Sequence, residues 1–112
     1  MKETIGTSES GGQKGIKPEA YGLIPPHPME QVARVYGFGA GKYSDHNWTK
    51  GYNYTWSLSA LHRHIKEFEK GVSQDWESGI HHLAHAAFHL FALMEFERTG
   101  RGIDDRLIKQ YE

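Results

Sequence analysis

The chain has 112 residues, with 13 basic and 14 acidic side chains and a formal net charge of −1 when its eight histidines are neutral. That length predicts one domain with a small core. No apolar run reaches the ~20 residues of a membrane span, and the start, MKETIGTSESGGQKG, lacks the apolar segment of a secretory signal. Cysteine is absent, which excludes disulfide staples, thiolate metal sites, iron–sulfur clusters and thiol catalysis. The near-neutral balance argues against a dedicated DNA or RNA partner.

In chain order, residues 1–14 read as a flexible tail of Gly, Ser, Thr and charge, and residues 15–112 as a single helical domain. All four prolines, Pro18, Pro25, Pro26 and Pro28, lie in the next stretch and make it extended or turning. A first helix is expected from about Pro28, with Met29, Val32, Ala33, Tyr36 and Ala40 at helical spacing. Gly37, Gly39 and Gly41 are expected to weaken and end it. Residues 43–54 form a loop rich in aromatic and polar groups. A second helix is predicted over residues 55–70, capped by Thr55 or Ser57, with Leu58, Leu61, Ile65 and Phe68 as its apolar stripe.

Asp75, Glu77 and Ser78 are expected at the N-terminus of a third helix spanning residues 80–98. One face of it carries Ile80, Leu83, Ala84, Ala87, Phe91 and Met94, while Ala86, Ala92, Leu93 and Phe96 lie elsewhere. A helix apolar nearly all round is central and packed on more than one side. One of those sides is assigned to a partner subunit, making the protein a homodimer or higher oligomer. A short amphipathic helix is expected over residues 103–111. No period-two strand pattern is long enough to count. The fold class is therefore all-α: a small helical bundle with an extended, Pro-rich N-terminal segment.

Six of the eight histidines fall between His62 and His89. On the third helix His82, His85 and His89 stand at i, i+3 and i+7, within about 60° of arc, roughly opposite the main apolar stripe. His81 projects away from them. His64 on the second helix, off its apolar stripe, and Asp75 and Glu77 in the connection complete a set of imidazoles and carboxylates on two antiparallel helices and their loop. Helical bundles build metal sites from facing side chains of this kind. Mixed imidazole and carboxylate ligands suit Mn²⁺, Fe²⁺, Co²⁺ or Zn²⁺, whereas Mg²⁺ prefers oxygen. The bland alternatives are satisfied structural histidines, and carboxylates that only answer a helix dipole.

The loop adds Lys42, Tyr43, Asn47 and Trp48: a cation, two rings that can stack on a base, and an amide that can read its edge. Arg63 can clasp a phosphate. Tyr43 and Trp48 serve equally well as packing anchors. Neither GxxxxGK[ST] nor a GxGxxG in strand–helix context occurs, and no motif supports a Ser/His/Asp nucleophile.

These segments together resemble a phage-associated family, the dATP/dGTP diphosphohydrolase N-terminal domain. The resemblance is carried by LIPP at residues 23–26, VARVYGFGAGKY at 32–43, NWTKG at 47–51, Arg63-His64, and the run from Gly71 through Asp75, Glu77, Ser78, Gly79, His82, Leu83, His85 and Ala86. It covers roughly residues 14–97. It implies a cytoplasmic hydrolase of a phage-infected host, acting on purine (d)NTPs and releasing (d)NMP and pyrophosphate with a divalent metal. Mg²⁺ or Mn²⁺ comes first, with Zn²⁺, Co²⁺ or Fe²⁺ as alternatives. It also implies kinship in layout with MazG-like all-α pyrophosphohydrolases. From the acidic ExxE and ExxD motifs of those enzymes the chain departs, showing Arg63-His64 and His82-Leu83-Ala84-His85 on the corresponding helices.

On this reading His64, Asp75, Glu77, His82 and His85 hold the metal, and His89 orients a ligand from behind. Glu77, Arg63 and Lys42 are the catalytic candidates. Lys42, Tyr43, Asn47, Trp48 and Arg63 bind substrate. Two other function classes compete: a nucleotide-binding sponge that hydrolyses nothing, and a helical interaction module with structural histidines. A His-Asp phosphohydrolase ranks low because no His-Asp dipeptide occurs.

Overall fold

The computed structural model describes residues 4–111. Three α-helices form the body: α1 (Pro26–Lys42), α2 (Tyr54–Glu69) and α3 (His82–Thr99). α3 is central, packing along α2 on one side and against α1 on another. Ala60, Ala84, Ala86 and Ala92 are all buried, and these small side chains let the helices approach closely. Val35, Ile80 and Ala84 make one core with Val32, Phe38 and Phe88 around it. Phe96, 1% exposed, anchors a second, aromatic core with Tyr52 and Tyr54 at ring separations of 5.0 and 6.2 Å. Burying such a ring is worth about 1.5–3 kcal/mol.

Two elements depart from the all-α expectation. Strands β1 (Thr4–Thr7) and β2 (Gln13–Ile16) pair antiparallel, in and just beyond residues 1–14, the stretch read from composition as a flexible tail; of that stretch, residues 1–3 lie outside the described residues. Each strand is only four residues long, too short for its alternation to stand out. Gly11, at φ +88°, makes the turn possible, and Ser8 closes it through the Gly12 carbonyl. At the other end, the helix expected over residues 103–111 is a single 3-10 turn, Leu107–Tyr111. The chain before it is committed elsewhere: Ile103 bridges to Asn53, and its carbonyl accepts from Tyr54 N–H at 2.9 Å.

α1 begins at Pro26, two residues earlier than expected, with proline in its first turn. It also runs through Gly37, Gly39 and Gly41, which composition reads as its end. Each glycine costs the helix about 1 kcal/mol relative to alanine, yet packing of Val35 against α3 overrides propensity. α2 matches its predicted span within a residue at each end. Its cap comes from far along the chain. Asp105 accepts from the Thr55 N–H at 2.9 Å, from the Thr55 hydroxyl at 2.6 Å and from Asn53 Nδ2 at 3.0 Å. The Thr55 hydrogen bonds, with help from Asn53, hold the Asp105 carboxyl down at about 2.

α3 starts at His82, and its cap is His81, whose Nδ1 accepts from Leu83 N–H at 3.0 Å. Asp75, Glu77 and Ser78, expected at that N-terminus, sit instead in a tight loop closed by the Gln74–His81 bridge. Asp75 N–H donates to the Ile80 carbonyl there, so the loop uses up its own polar groups. The orientation of α3 is the largest surprise. The histidine face, His82 and His85, is buried. Of the predicted apolar stripe only Ile80 and Ala84 reach the core, while Leu83, Phe91 and Met94 are exposed.

Candidate functional site

α2 delivers His64, α3 delivers His82, His85 and His89, and the loop between them delivers Asp75 and Ser78. His64 Nδ1 lies 2.8 Å from His82 Nδ1, and one ligand atom from each of His64, Asp75 and His82 falls within 4.8 Å of the others. His82 is only 4% exposed. Two imidazole nitrogens at such a distance either share a proton or turn both lone pairs on one cation. Two imidazoles and a carboxylate are a donor set for a divalent transition metal, so these residues fit such an ion. The His85 ring lies flat against His64, with centroids 4.7 Å apart.

Ser78 organises the carboxylate side. Its hydroxyl meets Asp75 Oδ1 at 3.1 Å and His85 Nε2 at 2.7 Å, and it accepts from Ile80 N–H at 3.1 Å. Burial works to raise the Asp75 carboxyl, but hydrogen bonds from the Ser78 N–H and hydroxyl and the Glu77 N–H overcome it and hold the group below its ordinary value. Asp75 is therefore an acceptor only. With the single Ser78 proton directed to it, His85 must donate from Nε2, which leaves its Nδ1 lone pair free. His89 is tied down similarly: Nδ1 lies 2.9 Å from Ser57 Oγ, which in turn meets the Tyr52 hydroxyl at 2.6 Å.

Burial, reinforced by the neighbouring imidazoles, pushes His64 and His89 down from 6.5 to about 4, and burial also lowers His85. These rings are neutral at pH 7, as metal ligands must be. The sign of the stability effect follows. Between pH 6.5 and about 4 the unfolded chain takes up protons that the folded one refuses. Urea unfolding in chelator is therefore expected to lose midpoint steadily as pH falls through that window. The loss precedes any further loss from Asp75 and Asp105, whose depressed carboxyls contribute stability that disappears only as pH falls below their ordinary value of 3.8. A midpoint unchanged from pH 7 to 4.5 would contradict the neutral cluster.

A cleft of about 770 Å³ opens beside the cluster. Lys42, Tyr43, Asn47, Trp48, Arg63, His64, Asp75, Glu77 and His85 all line it. His82 alone of the predicted site residues does not; it lines a second cavity of about 800 Å³, which shares Arg63, His64 and Asp75 with the first. Gly37 and Gly39 are part of the cleft wall, where their missing side chains leave it open. The candidates play unequal parts. Trp48 packs its ring against Tyr36, Phe88 and Phe96 at 6.1–6.2 Å, so it anchors the loop as well as facing the cleft. Tyr43 is 67% exposed. Glu77 is outside the His64–Asp75–His82 group and accepts from Lys42 Nζ at 2.8 Å, joining the loop to the end of α1.

Sequence reasoning missed Ser57, Tyr52 and Ser78 as parts of the site. A signal existed for Ser57, which stands seven residues before His64 on one face of α2. Ser78 carried no such signal, because its role depends on a loop closure joining Gln74 to His81.

The fold and site thus define a small helical domain with an imidazole–carboxylate cluster opening on an aromatic cleft. The family described as dATP/dGTP diphosphohydrolase, N-terminal, matches residues 8–106, and the chain belongs to it. A relative from Salmonella phage PMBT28, named dATP/dGTP diphosphohydrolase, is 40% identical over 84 residues, covering 75% of this chain and 29% of the relative. The chain therefore spans less than a third of that relative's length. No solved structure matches.

Proposed function

We propose that the protein is a metal-dependent nucleotide pyrophosphohydrolase acting on purine (d)NTPs and releasing (d)NMP and pyrophosphate. The observation that carries this is the 2.8 Å approach of the His64 and His82 nitrogens beside Asp75, at the edge of an aromatic cleft, in a chain of this family. His64, Asp75 and His82 would hold a divalent ion, Mn²⁺ or Mg²⁺, of which the two imidazoles favour Mn²⁺. When bound, the ion neutralises phosphate charge and activates water. The water oxygen forms a bond to the α-phosphorus, and the bond from that phosphorus to the bridging oxygen breaks. Pyrophosphate leaves with the bonding electrons. Glu77 takes the water proton, and its Lys42 partner and Arg63 steady phosphate charge. Tyr43, Asn47 and Trp48 receive the base. Ser78 and Ser57 keep His85 and His89 in one orientation each.

The test is incubation with Mn²⁺ or Mg²⁺ and a panel of NTPs and dNTPs, with products separated by chromatography. Monophosphate and pyrophosphate from a purine dNTP are expected. Tight binding of unchanged nucleotide would make the protein a sponge, and no binding would leave a structural module.

The same reading includes a homodimer or higher assembly. Leu83, Leu90, Phe91 and Met94 form an exposed stripe on the outward side of α3, 40–61% accessible, where an isolated domain seldom leaves a contiguous apolar patch. Leu90→Glu with Met94→Glu is expected to halve the mass or more in light scattering. A wild-type monomer would remove the assembly from the proposal.

A further inference from the structure

The two cavities divide the charge unequally. The aromatic cleft carries Lys42 and Arg63 against Asp45, Asp75 and Glu77, a formal net of −1 with histidines neutral. The second cavity carries Arg63, Lys66 and Lys70 against Glu67 and Asp75, a formal net of +1. The aromatic side chains divide the opposite way. Tyr36, Phe38, Tyr43, Trp48, Tyr52, Trp56 and Phe88 line the cleft, whereas among the described residues Trp76 is the one Phe, Tyr or Trp on the second cavity, beside the imidazoles of His62, His64 and His82. Arg63, His64 and Asp75 face both, so the cluster stands at the junction.

Arg63 and Lys66 on α2 and Lys70, the residue that caps its C-terminus with helical φ and ψ, stand at i, i+3 and i+7, on one side. At 1.5 Å per residue they mark a line about 10 Å long leading away from His64. That reach suits phosphates placed beyond the one at the cluster. Glu67 lies 3.4 Å from Lys70 Nζ, a loose and exposed pair that an anion can displace. Lys66 and Lys70 are both exposed, so neither is committed to packing. Ring-bearing and polyphosphate parts of one ligand therefore find matching surroundings on opposite sides of the cluster.

We propose that the second cavity is the subsite for the β- and γ-phosphates: the base lies in the aromatic cleft, the α-phosphate at the cluster, and the terminal phosphates along Lys66 and Lys70. This rests on the nucleotide reading above and deepens it. It explains how a triphosphate is told from a monophosphate: only the triphosphate crosses the junction. It also gives the two lysines a role that their place near the α2 C-terminus, where cations answer the helix dipole, does not require.

The test is calorimetry with Mn²⁺, using dAMP and the α,β-methylene analogue of dATP, which cannot release pyrophosphate. The wild-type protein is expected to prefer the analogue by tenfold or more. In the Lys66→Gln, Lys70→Gln double variant that preference is expected to fall about tenfold, with dAMP affinity within about twofold of wild type. A preference kept in the double variant overturns the subsite while leaving the nucleotide reading standing. A preference lost in Lys42→Gln instead places the tail in the aromatic cleft and overturns it as well. Wild-type protein that binds neither compound overturns both readings together.

Discussion

His64→Ala and His82→Ala are each expected to cut metal-dependent turnover of a purine dNTP at least a hundredfold, and the double variant to lose little more. The two nitrogens meet at 2.8 Å with Asp75 beside them. Removing either leaves an incomplete donor set. Residues that act as one unit show strongly non-additive losses, and even partners behind a metal ligand cost about 10–100-fold. His82 is buried, so its alanine variant also opens a cavity. His82→Gln keeps most of the volume and separates the lost ligand from lost packing. Chromatographic product assays and Mn²⁺ calorimetry on all four variants provide the check. His81→Ala is the control. It caps α3 outside the cluster, so it should lower stability by about 0.5–2 kcal/mol and leave turnover alone. Either single variant at His64 or His82 hydrolysing at the wild-type rate would end the metal-centre assignment.

Gly102→Ala should unfold the domain more than any other glycine replacement near the C-terminus, by about 3 kcal/mol or more. Gly102 sits at φ +77°, and an added Cβ would come 2.7 Å from the Tyr52 carbonyl oxygen and 3.2 Å from the Phe96 ring. Backbone and a fully buried ring cannot step aside cheaply. Gly51 is the opposite half of the same approach: at φ +84° its Cβ would come 2.5 Å from Gly102 N, so Gly51→Ala should behave alike. Gly100 gives the comparison. It has φ +73° but open space around its Cβ, so Gly100→Ala meets only the left-handed penalty of about 1–2 kcal/mol. Urea unfolding of the three variants separates the two costs. A Gly102→Ala protein as stable as Gly100→Ala would show that Gly102 has room for a Cβ beside the Tyr52 carbonyl. The contact matters beyond itself, since it brings Asp105 to the first turn of α2.

Periodicity made α2 and α3 legible, because an amphipathic or apolar stripe survives whatever the helix packs on. The glycines of α1 were misleading for the reason that makes propensity weak: Val35 and Tyr36 pack inward, and burial outweighs a few tenths to one kcal/mol per glycine. In the site, His64, Asp75, His82 and His85 were named from spacing and resemblance, and they do come together. Glu77 was named beside them, but the loop that carries it turns it to Lys42. Nothing local to Glu77 encodes that turn.

By itself the sequence determined that this is a small helical domain, that its histidines concentrate on one face of α3, and which family it resembles. Those are properties of composition and of one-dimensional spacing, which a helix converts into faces by its fixed 100° step. The tertiary structure decided that the histidine face turns inward and most of the apolar stripe outward, that Asp105 caps a helix fifty residues away, and that two cavities meet at Arg63, His64 and Asp75. Each of those depends on which surfaces meet. A buried imidazole is stable only where a hydroxyl, carboxylate or second imidazole satisfies it, and those partners come from other segments of the chain.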